Sequence, residues 1–489
     1  MYIVMISPEI APVAKVGGLA DVVYGLSREL EIRGHSVEII LPKYDCMWYD
    51  QIWGFQEVFN GLWVPYFEHW IHCTVYFGFV HGRKCFFIDP HADKNFFNRG
   101  LFYGHYDDAE RFAFFCRAAL EFMFKAGKHP DIIHCHDWQT GLVPVLLYGI
   151  YQHLGMTHPR VCYTLHNLKH QGTTSDHILR EVGLDPGEYH RSDRIQDDHN
   201  PYAINLMKGG IVYSNFVTTV SPMYAWDIRH SDQGYGLGHT LHSHQGKFGG
   251  ILNGIDYDIW NPEIDPHIPS RYGVNNIDDK YNNKAALRHR LLLRDELKPI
   301  ICVIGRLDHQ KGVHLIKQAL FYAMHCGWQF VLLGSSPEHA VNEEFCHLKR
   351  TFNDNPDCHL EISYDDALSH LIYAGADMIV IPSMFEPCGL TQMIAMKYGT
   401  IPIVRGTGGL ANTVFDINHS DRPENERNGY VFYEATNEAL EHAMHRAVGL
   451  YYEFPERFRE AMITCMNYDY SWNNPAQHYL NIYEFIREK

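Results

Sequence analysis

Short apolar runs alternate with segments of helical spacing along this chain, and that alternation leaves few architectures open. Tyr2 to Ile6 reads as a strand. A glycine-containing loop follows, then Leu19 to Arg33, where Leu19, Val22, Val23, Leu26 and Leu30 recur at helical spacing and Gly34 stands at the C-cap. Val37 to Leu41 reads as the next strand, stopped by Pro42. Asp131 to Cys135, Val161 to Leu165 and Phe216 to Val220 are further strands, with helical segments such as Arg111 to Lys125 between them. Repeated strand–helix–strand units imply a parallel sheet covered by helices on both faces.

The texture changes after Asn253. Residues 261–283 carry Pro262, Pro266, Pro269 and a run of Asn and Asp, which reads as a linker. Beyond it the alternation restarts: strands are predicted at Ile300 to Ile304, Gln329 to Leu333, Met378 to Ile381 and Ile401 to Val404, and helices at Lys311 to His325 and Leu390 to Tyr398. A length of 489 residues accommodates two such doubly wound α/β domains. Ligands of these sheets bind at the carboxyl ends of the strands, and a cleft between the domains is the expected site. Pro475 to Arg487 reads as an amphipathic helix with Tyr479, Ile482, Tyr483 and Ile486 on one face.

Charge and cysteine usage remove other classes. A net charge of −17 makes the chain a poor general partner for nucleic acid or anionic membrane, although one local basic site can still hold a phosphate. No apolar stretch approaches the roughly 20 residues of a membrane span; the longest, Gly141 to Tyr151, is interrupted by Pro144. The opening MYIVMISPEI lacks a basic n-region and reads as a buried strand rather than a signal or transit peptide. The twelve cysteines never fall at C-x-x-C spacing, which argues against a zinc ribbon or disulfide framework and for a reducing compartment. Aromatic residues at 14% fit both a large core and a protein that handles sugars.

Four segments could carry chemistry. Lys15-Val16-Gly17-Gly18-Leu19-Ala20-Asp21 lies between the first strand and first helix; its glycines permit close backbone approach, and the helix start offers N–H groups to an anion. It is neither a dinucleotide fingerprint nor a P-loop. Gly305-Arg306-Leu307 with Lys311-Gly312 places two cations after a strand, which suits a diphosphate. Glu386-Pro387-Cys388-Gly389-Leu390-Thr391 precedes a helix; its carboxylate either answers the helix dipole or faces a sugar. His136-Asp137-Trp138 and His166-Asn167 end neighbouring strands, whereas His134 points into sheet packing by alternation. The histidines of 239–244 lack a Cys or carboxylate to complete a metal site, and Asp256-Tyr257-Asp258 reads as a turn. No G-x-S-x-G is present, and no two carboxylates can be paired as in a glycosidase.

Taken in order, KVGGLAD, HDWQ at 136–139, HN-x3-QG at 166–172, VSPMYA at 220–225, LNGID at 252–256, GRL-x3-KG at 305–312 and EPCGLTQ at 386–392 resemble bacterial glycogen synthase and plant starch synthase. These are family 5 retaining glycosyltransferases of the GT-B fold. The resemblance spans the chain, and ILPKYDCM at 40–47 and the stretch 191–197 look most like the starch synthase IV and cyanobacterial group. It implies an N-terminal Rossmann-like domain over 1–255, carrying the glycine loop and the acceptor side. That domain is joined by a C-terminal helix at 470–489, and a nucleotide-sugar-binding domain covers 256–469.

The resemblance also implies the reaction: glucose passes from ADP-glucose to the non-reducing 4-OH of an α-1,4-glucan with retention. Catalysis would rest on Glu386, His166, Lys311 and Arg306. Donor binding would involve Lys15, Gly17, Gly18, Asp21, Asp137, Asn167, Asn253, Tyr364, Cys388, Gly389, Leu390 and Thr391, with Tyr364 near the adenine or ribose. No metal and no cofactor are implied, ADP-glucose being a substrate. The expected location is the bacterial cytoplasm, or the plastid stroma if a transit peptide has been removed. Ala20 stands where many relatives of that group have Gly, and Asp227 where Glu is frequent. Competing readings are a GT-B transferase using UDP-glucose or another acceptor, and a glucan-binding scaffold without catalysis.

Overall fold

The computed structural model describes residues 1–489. The chain forms two compact units, residues 1–254 with 472–489 and residues 255–471. Each contains Rossmann-like α/β structure built on a parallel sheet.

The first unit holds a nine-stranded sheet and a short two-stranded ribbon. In chain order the sheet comprises β1 (Tyr2–Ile6), β2 (Ser36–Pro42), β3 (Ile52–Tyr66), β4 (His69–Val80), β5 (Arg83–Pro90), β6 (Ile132–His136) and β7 (Arg160–Leu165). After the ribbon strands β8 (Thr173–Thr174) and β9 (Ile204–Asn205) come β10 (Phe216–Thr219) and β11 (Phe248–Gly250). The spatial order is β11-β10-β7-β6-β1-β2-β5-β4-β3. β1 lies centrally, and Ile3, Val4, Met5 and Ile6 are wholly buried, which is why it reads as an unbroken apolar run. Full burial of such side chains contributes roughly 1.5–3 kcal/mol each.

One edge departs from the expected all-parallel pattern. β3 and β4 form an antiparallel hairpin, and β4 pairs antiparallel with β5. Register shifts in β3 between Trp53 and Gln56, Glu57 and Phe59, and Asn60 and Leu62 break the period-2 signal that would have announced it. Pro42 does not stop β2 but is its last residue, paired with Ile88 of β5.

The C-terminal helix Asn473–Arg487 packs on this unit by Ala476, Tyr479, Leu480, Tyr483 and Ile486, with Leu480 buried and Ile482 only partly covered. Its Tyr483 hydroxyl meets His134 Nδ1 at 2.8 Å, and Arg33 Nη1 donates to Gln477 at 2.7 Å.

The second unit holds a six-stranded parallel sheet of β12 (Ile300–Ile304), β13 (Gln329–Leu333), β14 (Cys358–Glu361), β15 (Met378–Ile381), β16 (Ile401–Arg405) and β17 (Tyr430–Phe432), ordered β14-β13-β12-β15-β16-β17. The segment 261–283 is not a linker in this structure. Tyr272 is buried and donates to the Tyr398 carbonyl at 2.7 Å. Asn283 accepts from the Ser270 N–H at 3.0 Å and donates to the Ser270 carbonyl at 2.7 Å. Lys280 begins the helix Lys280–Leu291 and donates its buried ammonium to the Tyr373 and Ala374 carbonyls and Thr400 Oγ1. Prolines and Asn residues here shape turns whose polar groups are internally satisfied. All twelve cysteines are unpaired.

Candidate active site

In the first unit the candidate residues follow the carboxyl ends of parallel strands β1, β6, β7 and β11, one edge of one sheet. After β1 the chain turns through residues 7–17 into the helix Gly18–Ile32. Lys15 lies exposed on this loop, its ammonium 2.8 Å from Asp21 Oδ1. Buried Glu9 organises the loop: its Oε2 accepts from the Val16 N–H at 2.8 Å and the Gly17 N–H at 3.0 Å, and its Oε1 from the Tyr103 hydroxyl at 2.6 Å. Burial pushes the Glu9 carboxyl up while these donors pull it down.

The amides of Val16 and Gly17, just ahead of the helix, are therefore taken by a protein carboxylate. Nothing lies within 4 Å of where a Cβ on Gly17 would stand, so the space beside this residue is open. Sequence reasoning passed over Glu9; the available signal was a lone carboxylate in the otherwise uncharged stretch from Ile6 to Ala14. Ala20 is wholly buried, and its N–H donates to the Gly17 carbonyl.

β6 and β7 are parallel neighbours with His136 opposite Thr164, so the residues that follow them come together. Asp137, at φ +56°, accepts from the His166 N–H at 2.6 Å. His136 Nδ1 lies 3.1 Å from His166 Nε2. His134 is buried beneath them, bonded to Thr164 and Tyr483. Burial drives His134 and His166 down to about 3 and His136 well below its ordinary value, so all three imidazoles are neutral at pH 7. Burial pushes Asp137 up to about 7 against backbone donors from His166 and Asn167, with the charge of Glu9 adding to the rise. Asn167 Oδ1 accepts from the Lys169 N–H at 3.0 Å. Asn253, after β11, is buried with no hydrogen-bond partner on its Oδ1. The edge thus offers neutral imidazole, a carboxyl poised near neutrality and an amide oxygen awaiting a donor.

In the second unit the candidates again follow carboxyl ends, those of β12, β14 and β15. Arg306, largely exposed, approaches Asp308 at 3.3 Å. Lys311 reaches Glu386 Oε2 at 2.6 Å, and Ser383 Oγ donates to the same oxygen at 2.8 Å. The Glu386 carbonyl accepts the Gly409 N–H at 2.9 Å, which pins the backbone of this loop. Glu386 therefore neither stands as a bare helix-dipole carboxylate nor leaves Lys311 unpaired for phosphate. Cys388 is buried, Gly389 has φ +74°, and Leu390 precedes the helix Thr391–Lys397. Tyr364, after β14, is 77% exposed, with its hydroxyl 3.4 Å from Asp366 Oδ1.

Two Rossmann-like units, each presenting ionic and hydrogen-bonding groups at the carboxyl edge of a parallel sheet, match the fold of the GT-B class of glycosyltransferases. Residues 2–243 match the model of the starch synthase catalytic domain, and residues 287–463 that of glycosyl transferases group 1. Glycogen synthase 1 of Nitrosococcus oceani is 64% identical over 488 residues, covering 100% of both chains. Glycogen synthase 2 of Methylococcus capsulatus is 65% identical over 99% of this chain and 100% of its own. The solved catalytic domain of starch synthase IV from Arabidopsis thaliana, bound to ADP and acarbose, superposes with a TM-score of 0.97 at 44% identity, covering 100% of this chain and 99% of that one. The chain belongs to the glycogen and starch synthase family. No helix is long and apolar enough to cross a membrane.

Proposed function

We propose that this protein extends an α-1,4-glucan by transferring glucose from ADP-glucose to the non-reducing 4-OH with retention of anomeric configuration. The full-length identity to bacterial glycogen synthases and the ADP held by the starch synthase IV domain support donor and product class. The bacterial relatives also support a cytoplasmic enzyme.

The observation that carries the mechanism is the Lys311–Glu386 pair at the carboxyl edge of the second sheet. As the glycosidic bond breaks, negative charge grows on the leaving ADP and positive charge on the sugar ring. In this reading Arg306 and Lys311 meet the diphosphate, assisted by the backbone of residues 388–391, and Glu386 orients the sugar and stabilises its oxocarbenium-like charge. Lys15, Gly17, Gly18 and Asp21 shape the loop against the donor, while Tyr364 stands by the nucleoside. Asp137, His166, Asn167 and Asn253 bind the glucosyl hydroxyls, with His166 acting as a neutral imidazole. The acceptor attacks from the face the leaving group vacates, and the departing phosphate takes its proton, so no residue is assigned as a covalent nucleophile.

The test is a panel of ADP-glucose and UDP-glucose against acceptors from glucose to long maltooligosaccharides, with product lengths and anomeric configuration resolved. ADP release with chain lengthening through new α-linkages is expected. A strong UDP-glucose preference would overturn the donor, and no release with either oligosaccharide or polymer would overturn the activity.

A further inference from the structure

A cluster in the second unit, which meets the proposed donor site only where the Tyr364 hydroxyl lies 3.4 Å from Asp366 Oδ1, has the composition of a metal site. His267, Asp366 and His370 each present a ligand atom, and these atoms all lie within 4.8 Å of one another. Asp366 and His370 sit one turn apart on the helix Asp366–Gly375, with Oδ2 and Nε2 4.0 Å apart. His267 comes from the packed segment 261–283.

His370 provides the independent evidence. It is 1% exposed, and its buried Nε2 has no hydrogen-bond partner. Buried polar atoms of folded proteins are as a rule paired, and leaving one unpaired costs about 1–3 kcal/mol. The ring itself is firmly held. Nδ1 lies 2.7 Å from Oδ2 of Asp265, which also accepts from the Tyr398 hydroxyl, and Trp260 stacks on the imidazole at 4.2 Å and 14°. The other Asp265 oxygen accepts from the His267 N–H at 2.8 Å. One buried carboxylate thus orients His370 through the nitrogen remote from the cluster and anchors the backbone of His267. A carboxylate behind a histidine is the usual support of a metal-ligating imidazole, because it fixes the tautomer and raises basicity at the far nitrogen.

We propose that His267, Asp366 and His370 bind one divalent transition ion of the zinc class. Two imidazoles and a carboxylate suit Zn2+ with a water in the fourth tetrahedral position, whereas Mg2+ and Ca2+ favour all-oxygen sets. Ligation at roughly 2.0–2.2 Å draws the exposed His267 and Asp366 side chains inward while His370 stays in place. The ion joins segment 261–283 to the helix Asp366–Gly375. No step of the transfer reaction is assigned to it, and the proposal does not depend on the donor or acceptor assigned above.

The full-length protein, stripped with a chelator and desalted, is titrated with Zn2+ against a chromophoric competitor, and with Co2+ to read coordination geometry from its visible absorption. One tight equivalent is expected, with tetrahedral Co2+ bands. His267→Ala and Asp366→Ala, both at exposed positions, should keep the parent circular dichroism, weaken that equivalent by more than about 10-fold and abolish the bands. Absence of a tight equivalent in the parent, or its retention in either variant, would overturn the site.

Discussion

Lys311 Nζ and Glu386 Oε2 stand 2.6 Å apart, although the two residues follow different strands, β12 and β15, and are separated by 75 positions. Glu386 is 5% exposed, and Ser383 is the second donor to the same oxygen. The pair joins the group proposed for the diphosphate to the group proposed for the sugar.

Replacing Glu386 by Gln keeps the shape and an acceptor for Ser383 but removes the charge. The expected result is a fall in kcat of about 10²–10³-fold, with the KM for ADP-glucose changed only slightly, because the interaction strengthens as the sugar becomes cationic. Steady-state kinetics check this; a normal kcat would remove Glu386 from catalysis.

Lys311→Ala strips the buried carboxylate of its counter-charge. Breaking a buried pair costs roughly 3–5 kcal/mol, and the partial exposure of Lys311 places this loss near the low end of that range. Adding Glu386→Gln to Lys311→Ala should restore much of the stability and none of the activity. Urea unfolding of the three variants gives the coupling energy.

Stability should fall on acidification below about pH 6.5, the ordinary histidine value. His134 and His166, with folded values near 3, and His136, held well below its ordinary value, stay neutral in the fold and protonate once the chain unfolds. Each contributes a slope approaching about 1.4 kcal/mol per pH unit below that point. Asp137 opposes them: raised to about 7, it stays protonated in the fold where the unfolded chain has lost the proton, so its contribution declines as pH rises from about 4 to 7. Asp137→Asn removes that term. Its Tm relative to the parent should therefore climb between pH 4 and 7 and then level off, as followed by thermal unfolding across pH.

Two glycines should separate folding from binding. A Cβ on Gly17 meets nothing within 4 Å, so Gly17→Ala should change stability by no more than about 0.5 kcal/mol while raising the KM for the donor. A Cβ on Gly409 would fall 1.9 Å from the Cys388 carbonyl oxygen, so Gly409→Ala should cost about 1–3 kcal/mol or more by displacing the Glu386 loop. Calorimetry and donor saturation curves distinguish the two outcomes.

Much of the fold was legible before any coordinates. β12, β13 and β15 coincide with apolar runs read from the sequence, because a strand buried on both faces of a parallel sheet has no polar side to blur it. The bulged β3–β4 hairpin was not legible, since each register shift resets which side chains face the core. Residues 261–283 looked like a tether because Pro and Asn mark turns whether or not those turns are packed.

By itself, then, the sequence determined the two α/β series, the motifs at the carboxyl ends of their strands and the family those motifs belong to. Tertiary structure alone decided the partners: Glu9 for the amides of Val16 and Gly17, Lys311 for Glu386, and Asp265 for His370. Local periodicity follows from backbone geometry and burial within a few residues. A side chain's partner depends on how distant strands and helices are set in register, and no window along the chain contains that information.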